Sequence, residues 1–195
     1  MKPLMWGVLA LTLFGTIEPA SARCIPKYVL KIVVSMDTPD SARKTIYRSG
    51  ERFGRIEDPP NVIVVNEPDV WSVDRALRVG QHERDRDHDL VFRALIIDDF
   101  GSQHWNNFEY GCEVPFMKTV GSVAEPVAGS DERVYEHSTE GVTARLTVSK
   151  SDVPLRIDIR KGDETYVVIY HAWEELRDAP KALFAQPNGV SFEAE

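Results

Sequence analysis

An alternating run near the C-terminal end constrains the fold more than any other feature of this sequence. Leu155, Ile157 and Ile159 are each followed by a charged residue. Such alternation predicts a half-buried strand with one apolar and one solvated face. The sequence Lys161-Gly162-Asp163 then predicts a turn, and the segment 165–172 predicts a second strand. Because this second strand is apolar on both faces, we expect it to be central in its sheet.

The same period of two recurs through the rest of the chain. Tyr28 to Ser35 alternates as a strand, for which period and β-branching weigh against the alternative of a helix. Further strands are predicted in pairs, at 44–48 with 53–56, 62–65 with 70–73 and 75–79 with 90–97, and singly at 142–149. The prediction is an α+β fold, a single curved antiparallel sheet that forms an incomplete barrel.

One segment departs from this period and predicts helix. Its apolar residues recur at spacings of three and four, and they are Trp105, Phe108, Cys112, Phe116 and Val120. Gly111 and Pro115 interrupt the stripe, so we expect two short helices or one kinked helix. This short, broken helical lid is predicted to lie on the concave face of the sheet.

The C-terminal stretch carries a recognisable order of motifs. Pro154-Leu155-Arg156-Ile157 opens a strand, Tyr170 to Trp173 ends the next one, and Leu183 to Val190 reads L-F-x-x-P-x-G-V before a short last strand. This order resembles the periplasmic proteins with the outer-membrane lipoprotein carrier (LolA/LolB-like) fold. The resemblance covers about the last forty residues.

The resemblance implies a carrier that holds acyl chains between an incomplete barrel and its helices. The composition of the lid leads to the same expectation, because so little helix leaves space on an apolar concave face. The predicted ligand-lining residues are Trp105, Phe108, Phe116, Met117, Val120 and Trp173. The alternative is that these side chains form a closed core, as apolar stripes usually do.

Two functions of different classes therefore stand at this point. The first is an exported periplasmic binding protein for a lipid or another hydrophobic ligand. The second is a periplasmic module for protein interaction or envelope-stress sensing that has an envelope protein partner and no bound ligand. Neither function requires a cofactor.

The first 22 residues are predicted to be a signal peptide, which leaves residues 23–195 as a single half-barrel domain. An apolar run follows Lys2, and Ala20-Ser21-Ala22 has the small residues of a cleavage site. An uncleaved membrane anchor is the alternative, but the run is shorter than the roughly 20 residues that a spanning helix needs. We therefore expect cleavage after Ala22 and a periplasmic protein that does not span the membrane.

The two cysteines, Cys24 and Cys112, are predicted to form one disulfide bond. An even number of cysteines in an oxidising compartment favours pairing, and two unpaired thiols are the alternative. Cys24 follows the predicted leader closely, as a lipid-modified cysteine would. However, Arg23 stands where that processing site needs a small residue.

Charge and motifs argue against other classes of function. The net charge of −8 disfavours nucleic acid as a partner. No local motif of a nucleophile or a phosphate loop occurs, and the adjacent carboxylates of Asp98-Asp99 and Glu174-Glu175 point to opposite faces of a strand. We expect no enzyme and no catalytic residues. The cluster from His82 to Asp89 has metal-binding residue types, but its arginines favour a solvated charged tip, so no metal site is predicted.

Overall fold

The computed structural model describes residues 24–38, 41–87, 90–97 and 103–192. The predicted signal peptide, Met1 to Ala22, lies outside these residues. The strands are β1 (Val29–Met36), β2 (Lys44–Ser49), β3 (Phe53–Asp58), β4 (Asn61–Asn66), β5 (Asp69–Asp74), β6 (Val79–Arg84), β7 (Glu125–Pro126), β8 (Arg133–Thr139), β9 (Val142–Val148), β10 (Pro154–Lys161), β11 (Glu164–Leu176) and β12 (Ser191–Phe192). One α-helix, α1 (Glu113–Thr119), and 3-10 turns at Gln103–Trp105 and Lys181–Phe184 complete the described elements.

All the strands belong to one sheet in the order β12-β6-β5-β4-β3-β2-β1-β11-β10-β9-β8-β7. Neighbouring strands are antiparallel except β12, which pairs with β6 in parallel. The sheet is open, since β12 and β7 stand at its two ends. The predicted single sheet is therefore confirmed, and the described part of the chain adds only one short α-helix to it. None of the described helices is long and apolar enough to cross a membrane.

The hairpin that the C-terminal alternation predicted is present as β10 and β11. Strand β11 lies between β10 and β1, which confirms its central position. Ile157 and Ile159 are buried as expected, but the prediction that Leu155 faces the core is wrong, because Leu155 is only partly buried. The pairing of β10 with β9 shifts between Pro154 and Arg156, so one extra residue moves the alternation by one position. Pro154 is buried instead.

The two N-terminal hairpins are confirmed as β2 with β3 and β4 with β5. The third predicted pair is wrong, because β5 pairs with β6 and residues 75–78 form the turn between them. Asp74 stabilises that turn by accepting hydrogen bonds from the amides of Ala76 and Leu77 at 2.8 and 2.9 Å. Strand β8 was not predicted.

Residues 90–97 lie across the sheet instead of joining it as a strand. Phe92 packs directly on Gly54 of β3, where an added Cβ would lie 2.1 Å from the phenyl ring. The amide of Phe92 also donates to the carbonyl of Glu51 at 2.8 Å. The missing side chain at Gly54 therefore creates the space that lets this segment cover the sheet.

The helical stripe is helical only in α1, apart from the 3-10 turn Gln103–Trp105, so the prediction of helix over residues 106–112 is wrong. Gly111 has a φ of +91°, which ends the irregular segment before α1. The prediction that Pro115 interrupts a helix is wrong. Pro115 is the third residue of α1, in the first turn, where its missing N–H breaks no intrahelical hydrogen bond.

The two faces of the sheet carry separate apolar clusters. The larger one lies on the face covered by residues 90–97 and 103–120, and it includes side chains from β1, β2 and β8–β11. The smaller one, on β4 and β5, contains Val62, Val64, Trp71 and Val73, with Val190 and Phe192 packed against it. Val65 belongs to the larger cluster although Val64 belongs to the smaller one. Since successive residues of a strand point to opposite faces, the chain covers β4 on both sides.

Candidate functional site

We call residues 90–97 and 103–120 the cover. Its buried side chains include four of the predicted ligand-lining residues, Trp105, Phe108, Phe116 and Met117. The ring centroids of Phe108 and Phe116 are 4.8 Å apart, and those of Trp105 and Phe116 are 5.6 Å apart. Phe108 and Met117 have no exposed surface. These side chains therefore fill the space between the cover and the sheet.

The other two predicted residues are partly buried and pack against the same cluster. Val120 lies just after the end of α1. Trp173 lies on β11, where its ring packs against Tyr170 with the centroids 6.1 Å apart. The structure thus brings the rings of Trp105, Phe108 and Phe116 into direct contact and places Val120 and Trp173 against the cluster that they join.

The sheet presents an apolar surface to the cover. The side chains of that surface that are less than 4 % exposed come from six strands, and they are Ile32, Val34, Ile46, Tyr135, Val142, Ala144, Leu146, Val148, Ile157, Ile159 and Val168. The surface is broad, whereas the regular structure above it is the seven-residue helix α1 and a single 3-10 turn. Most of the cover is therefore irregular chain.

A polar atom lies unpaired inside the aromatic group. The indole Nε1 of Trp105 is buried and has no hydrogen-bond partner among the described residues. The ring centroid of His137 on β8 lies 5.4 Å from that of Trp105. Burial lowers the pKa of His137, and the charge of His104 lowers it further. A neutral imidazole therefore borders this apolar region at neutral pH.

The cover is attached to the sheet by a disulfide bond, as the sequence predicted. Cys24 and Cys112 are bonded, with their Cα atoms 5.7 Å apart and a sequence separation of 88. The guanidinium of Arg48 on β2 lies beside the bond. It donates to the carbonyl of Cys24 at 3.3 Å, to the carbonyl of Tyr110 at 2.9 Å and to the sulfur of Cys112 at 3.2 Å.

Arg48 also forms a buried ion pair with the cover. Its Nη2 lies 2.5 Å from Oε2 of Glu109, and both side chains are less than a tenth exposed. Arg93 donates from Nε to the other oxygen of Glu109 at 2.9 Å. Removal of one partner would leave a buried charge unpaired, so loss of either side chain should destabilise the contact between the cover and β2.

A second buried carboxyl group, that of Glu113, begins α1. The Tyr170 hydroxyl donates to its Oε1 at 2.6 Å, and the amide of Gly111 donates to its carboxylate at 3.0 Å. Burial raises the pKa of Glu113 to about 7, although these hydrogen bonds and the charge of Arg48 oppose the shift. Burial and the nearby Glu113 also raise the pKa of Tyr170. The Glu113 carboxyl therefore changes its protonation near neutral pH.

We call the disulfide and the side chains of Arg48, Glu109, Glu113 and Tyr170 the tether. Sequence reasoning found the cysteines but missed the four other residues. The signal available was the sequence Glu109-Tyr-Gly-Cys-Glu113, which places two carboxylates beside a cysteine in an otherwise apolar segment. The carboxylates considered in the sequence analysis are not part of the tether. Glu174 is exposed and pairs with Lys31, and Asp98-Asp99 lies outside the described residues.

The charged cluster from His82 to Asp89 is only partly described. His82 lies in β6, where its Nε2 is 2.9 Å from Oδ1 of Asp69 and its ring stacks on Trp71 with the centroids 5.5 Å apart. Residues 88 and 89 lie outside the described residues. In the described part of the chain, no three side chains of His, Cys, Asp or Glu are grouped so as to hold a metal ion.

No protein-family model and no curated protein matches this sequence. Among solved structures, the fold is similar to that of an uncharacterized conserved protein from Thermus thermophilus. The TM-score is 0.51 with 11% sequence identity, over 85% of this chain and 90% of that one. Two structures of PNGF-II, solved in different space groups, match 85% of this chain and 31% of their own with TM-scores of 0.30 and 7% identity. These similarities concern the fold alone, and the LolA/LolB-like resemblance stays a prediction.

Proposed function

We propose that this protein is an exported binding protein that holds a lipid or another hydrophobic ligand between the sheet and the cover. This is the function that the LolA/LolB-like resemblance implies. One observation carries the proposal: a broad apolar sheet surface is covered by irregular chain whose own aromatic side chains occupy the space. An acyl chain offers the same kind of apolar surface as Trp105, Phe108 and Phe116.

Ligand entry in this proposal requires movement of the cover, since Phe108 and Met117 are fully buried. The tether confines this movement. The disulfide and the Arg48–Glu109 pair hold residues 109–112, whereas the buried Nε1 of Trp105 has no hydrogen-bond partner among the described residues. We infer that the segment around Trp105 and Phe108 moves away from the sheet while residues 109–112 stay in place.

We place the protein in the periplasm. The disulfide supports this location, because such bonds form and persist in oxidising compartments and are rare in the cytosol. The proposed leader, Met1 to Ala22, adds the route of export. Intact mass spectrometry of the exported protein should show an N-terminus at Arg23 and no acyl group on Cys24.

The first test of ligand binding is extraction of the protein purified without detergent from a bacterial host. We expect mass spectrometry of the extract to detect a fatty acid, a phospholipid or a similar amphiphile in an amount close to one per protein. The delipidated protein should then bind a fatty acid that carries bromine atoms on its acyl chain. Bromine quenches tryptophan fluorescence only at close range, so the quenching reports which tryptophan the ligand approaches.

Two matched variants identify the site. Trp105→Phe should remove most of the quenching, because the Trp105 side chain is buried between the cover and the sheet. Trp71→Phe should keep it, because Trp71 belongs to the smaller cluster on the opposite face. An empty extract together with no quenching of the delipidated protein would contradict the proposal. In that case the aromatic residues of the cover form a closed core.

A further inference from the structure

The C-terminal segment, residues 180–192, forms a cleft on the face of the sheet opposite the cover. The cleft has a volume of about 500 Å³, in the range of small-molecule sites. Arg55, Arg75 and Arg78 line one side. The other side is formed by Ala182, Ala185, Gln186, Pro187, Asn188, Gly189 and Val190. Three arginines therefore meet at one cleft in a chain with a net charge of −8.

These three guanidinium groups have little internal compensation. Arg55 is largely buried, and it donates to Oε1 of Glu57 at 2.7 Å and to the carbonyl of Leu183 at 3.2 Å. Arg75 lies 3.6 Å from the same Glu57 oxygen. The Arg78 side chain makes no hydrogen bond or ion pair with the described residues. Among the described residues, Glu57 is the one carboxylate that pairs with any of these three arginines.

The walls of the cleft are held in place by backbone contacts. The amide of Ser191 donates to the carbonyl of Arg78 at 3.0 Å, and β12 continues as a parallel partner of β6. On the facing wall, the backbone N–H groups of Gln186, Asn188 and Gly189 donate to none of the described residues. The cleft therefore combines an ordered wall with excess positive charge, which suits an anion.

We propose that this cleft binds the oxyanion group, a phosphate or a carboxylate, of a small ligand or of a lipid headgroup. The planar fork of arginine matches both groups and binds them through paired hydrogen bonds. Arg75 and Arg78 make the principal contacts, since Arg55 already orders the C-terminal segment through Leu183. The site is independent of the proposed hydrophobic site, because it lies on the other face of the sheet.

Calorimetric titration of the mature protein with inorganic phosphate tests the site, with vesicles as a second arm. Pure phosphatidylcholine vesicles are compared with vesicles that contain one quarter phosphatidylglycerol. Binding of phosphate indicates a soluble ligand, and selective binding of the acidic vesicles indicates a headgroup. We expect either binding to weaken as salt is added. Absence of both bindings at low salt would overturn the proposal.

Variants then locate the binding. Arg75→Gln combined with Arg78→Gln should weaken it at least about tenfold, the effect of losing one charge-assisted hydrogen bond. The control, Arg145→Gln combined with Arg160→Gln, changes the net charge equally on the exposed surface of β9 and β10 and should leave binding unchanged. Equal weakening by the two double variants would show binding by net charge alone and overturn the site.

A third variant should strengthen the binding instead of weakening it. Glu57→Gln removes the carboxylate that competes for Arg55 and Arg75, so it should bind phosphate or acidic vesicles more tightly than the wild type. The melting temperature of each variant checks that the fold is retained. Weaker binding by a folded Glu57→Gln protein would show that the anion does not contact these arginines.

Discussion

Each face of the sheet is covered by a mostly irregular segment, but the two segments are attached to the sheet in different ways. The cover lies on one face and is fastened by a disulfide and by the buried Arg48–Glu109 pair. The C-terminal segment lies on the other face and is fastened by the two-residue strand β12, by Phe192 and by the Arg55–Leu183 hydrogen bond. The first attachment is covalent and ionic, and the second consists of hydrogen bonds and a small apolar contact.

The difference in attachment matches the amount of apolar surface that each segment covers. Irregular chain forms few hydrogen bonds of its own, so local opening is easy unless other contacts prevent it. The cover spans a broad apolar surface, and its loss would expose the larger cluster to water. The C-terminal segment protects only the smaller cluster around Trp71. The stronger attachment therefore lies where opening would expose more apolar surface.

The largest expected effect comes from removing the disulfide. Cys24→Ser combined with Cys112→Ser should lower the free energy of unfolding by about 4 kcal/mol, because the bond closes a long loop. Urea titration measures this loss. Hydrogen exchange should show faster opening at residues 109–117 than in the wild type, with the protection of residues 62–73 changed less. Equal loss on both faces would contradict the separate attachment of the cover.

The next effect concerns the sheet surface beneath the cover. Ile157 has no exposed surface, so Ile157→Ala should lower the free energy of unfolding by about 2 to 5 kcal/mol. Asp158 points to the other face and pairs with Arg156, a partly exposed pair whose loss should change stability by about 1 kcal/mol or less. Urea melts of Ile157→Ala and Asp158→Ala provide the comparison. The reverse ranking would mean that the faces of β10 are exchanged.

The tether also predicts a dependence of stability on pH. The pKa of Glu113 is raised from 4.5 to about 7 in the folded protein, so between these values the folded state binds a proton that the unfolded state lacks. The free energy of unfolding should therefore fall by about 3 kcal/mol as pH rises from 4.5 to 7, and this contribution should level off above pH 7. We expect Glu113→Gln to remove this fall.

Glu174→Gln is the matched control for that experiment, because Glu174 is an exposed carboxylate on β11. Its urea titrations across the same pH range should follow those of the wild type. If Glu113→Gln retains the full wild-type dependence, the buried carboxyl is already ionised at low pH. The tether would then contain two charged carboxylates instead of one.

The smallest effect belongs to the C-terminal face. Phe53 is 41% exposed and contacts Phe184 with the ring centroids 6.0 Å apart. Phe53→Ala should lower the free energy of unfolding by about 0.5 to 1.5 kcal/mol, the size of one aromatic pair. A thermal melt measures the change. A loss as large as that of Ile157→Ala would show that both faces contribute equally to stability.

The hairpins were predictable because their signals are local. Alternation and turn residues place β2 with β3, β4 with β5 and β10 with β11, and each pair is adjacent in the sequence. The prediction of a strand from Leu90 to Ile97 was wrong, because the same apolar pattern also suits an irregular segment that packs on a sheet. What decides between them is the space above Gly54, and that space is formed by a strand distant in sequence.

The candidate site also contains some features that local spacing predicts and others that depend on contacts distant in sequence. Spacing alone brought together Trp105, Phe108 and Phe116, since residues on one stripe share a face. The count of two cysteines likewise predicted their bond. Trp173 is not on this stripe, and the structure places it on β11 beside Tyr170, packed against the same cluster. Its contact with the cluster depends on the pairing of β11 with β1, which local spacing does not predict.

By itself, the sequence determined the strand period, the partners in three of the hairpins and the disulfide, because each depends on spacing or on composition. Only the tertiary structure decided which polar groups became buried together. Arg48 meets Tyr110 across 62 residues, and Glu113 meets Tyr170 across 57. No periodicity connects positions so far apart. Burial also shifts the pKa of Glu113 toward neutrality, and burial is a property of the packed sheet and cover rather than of any segment.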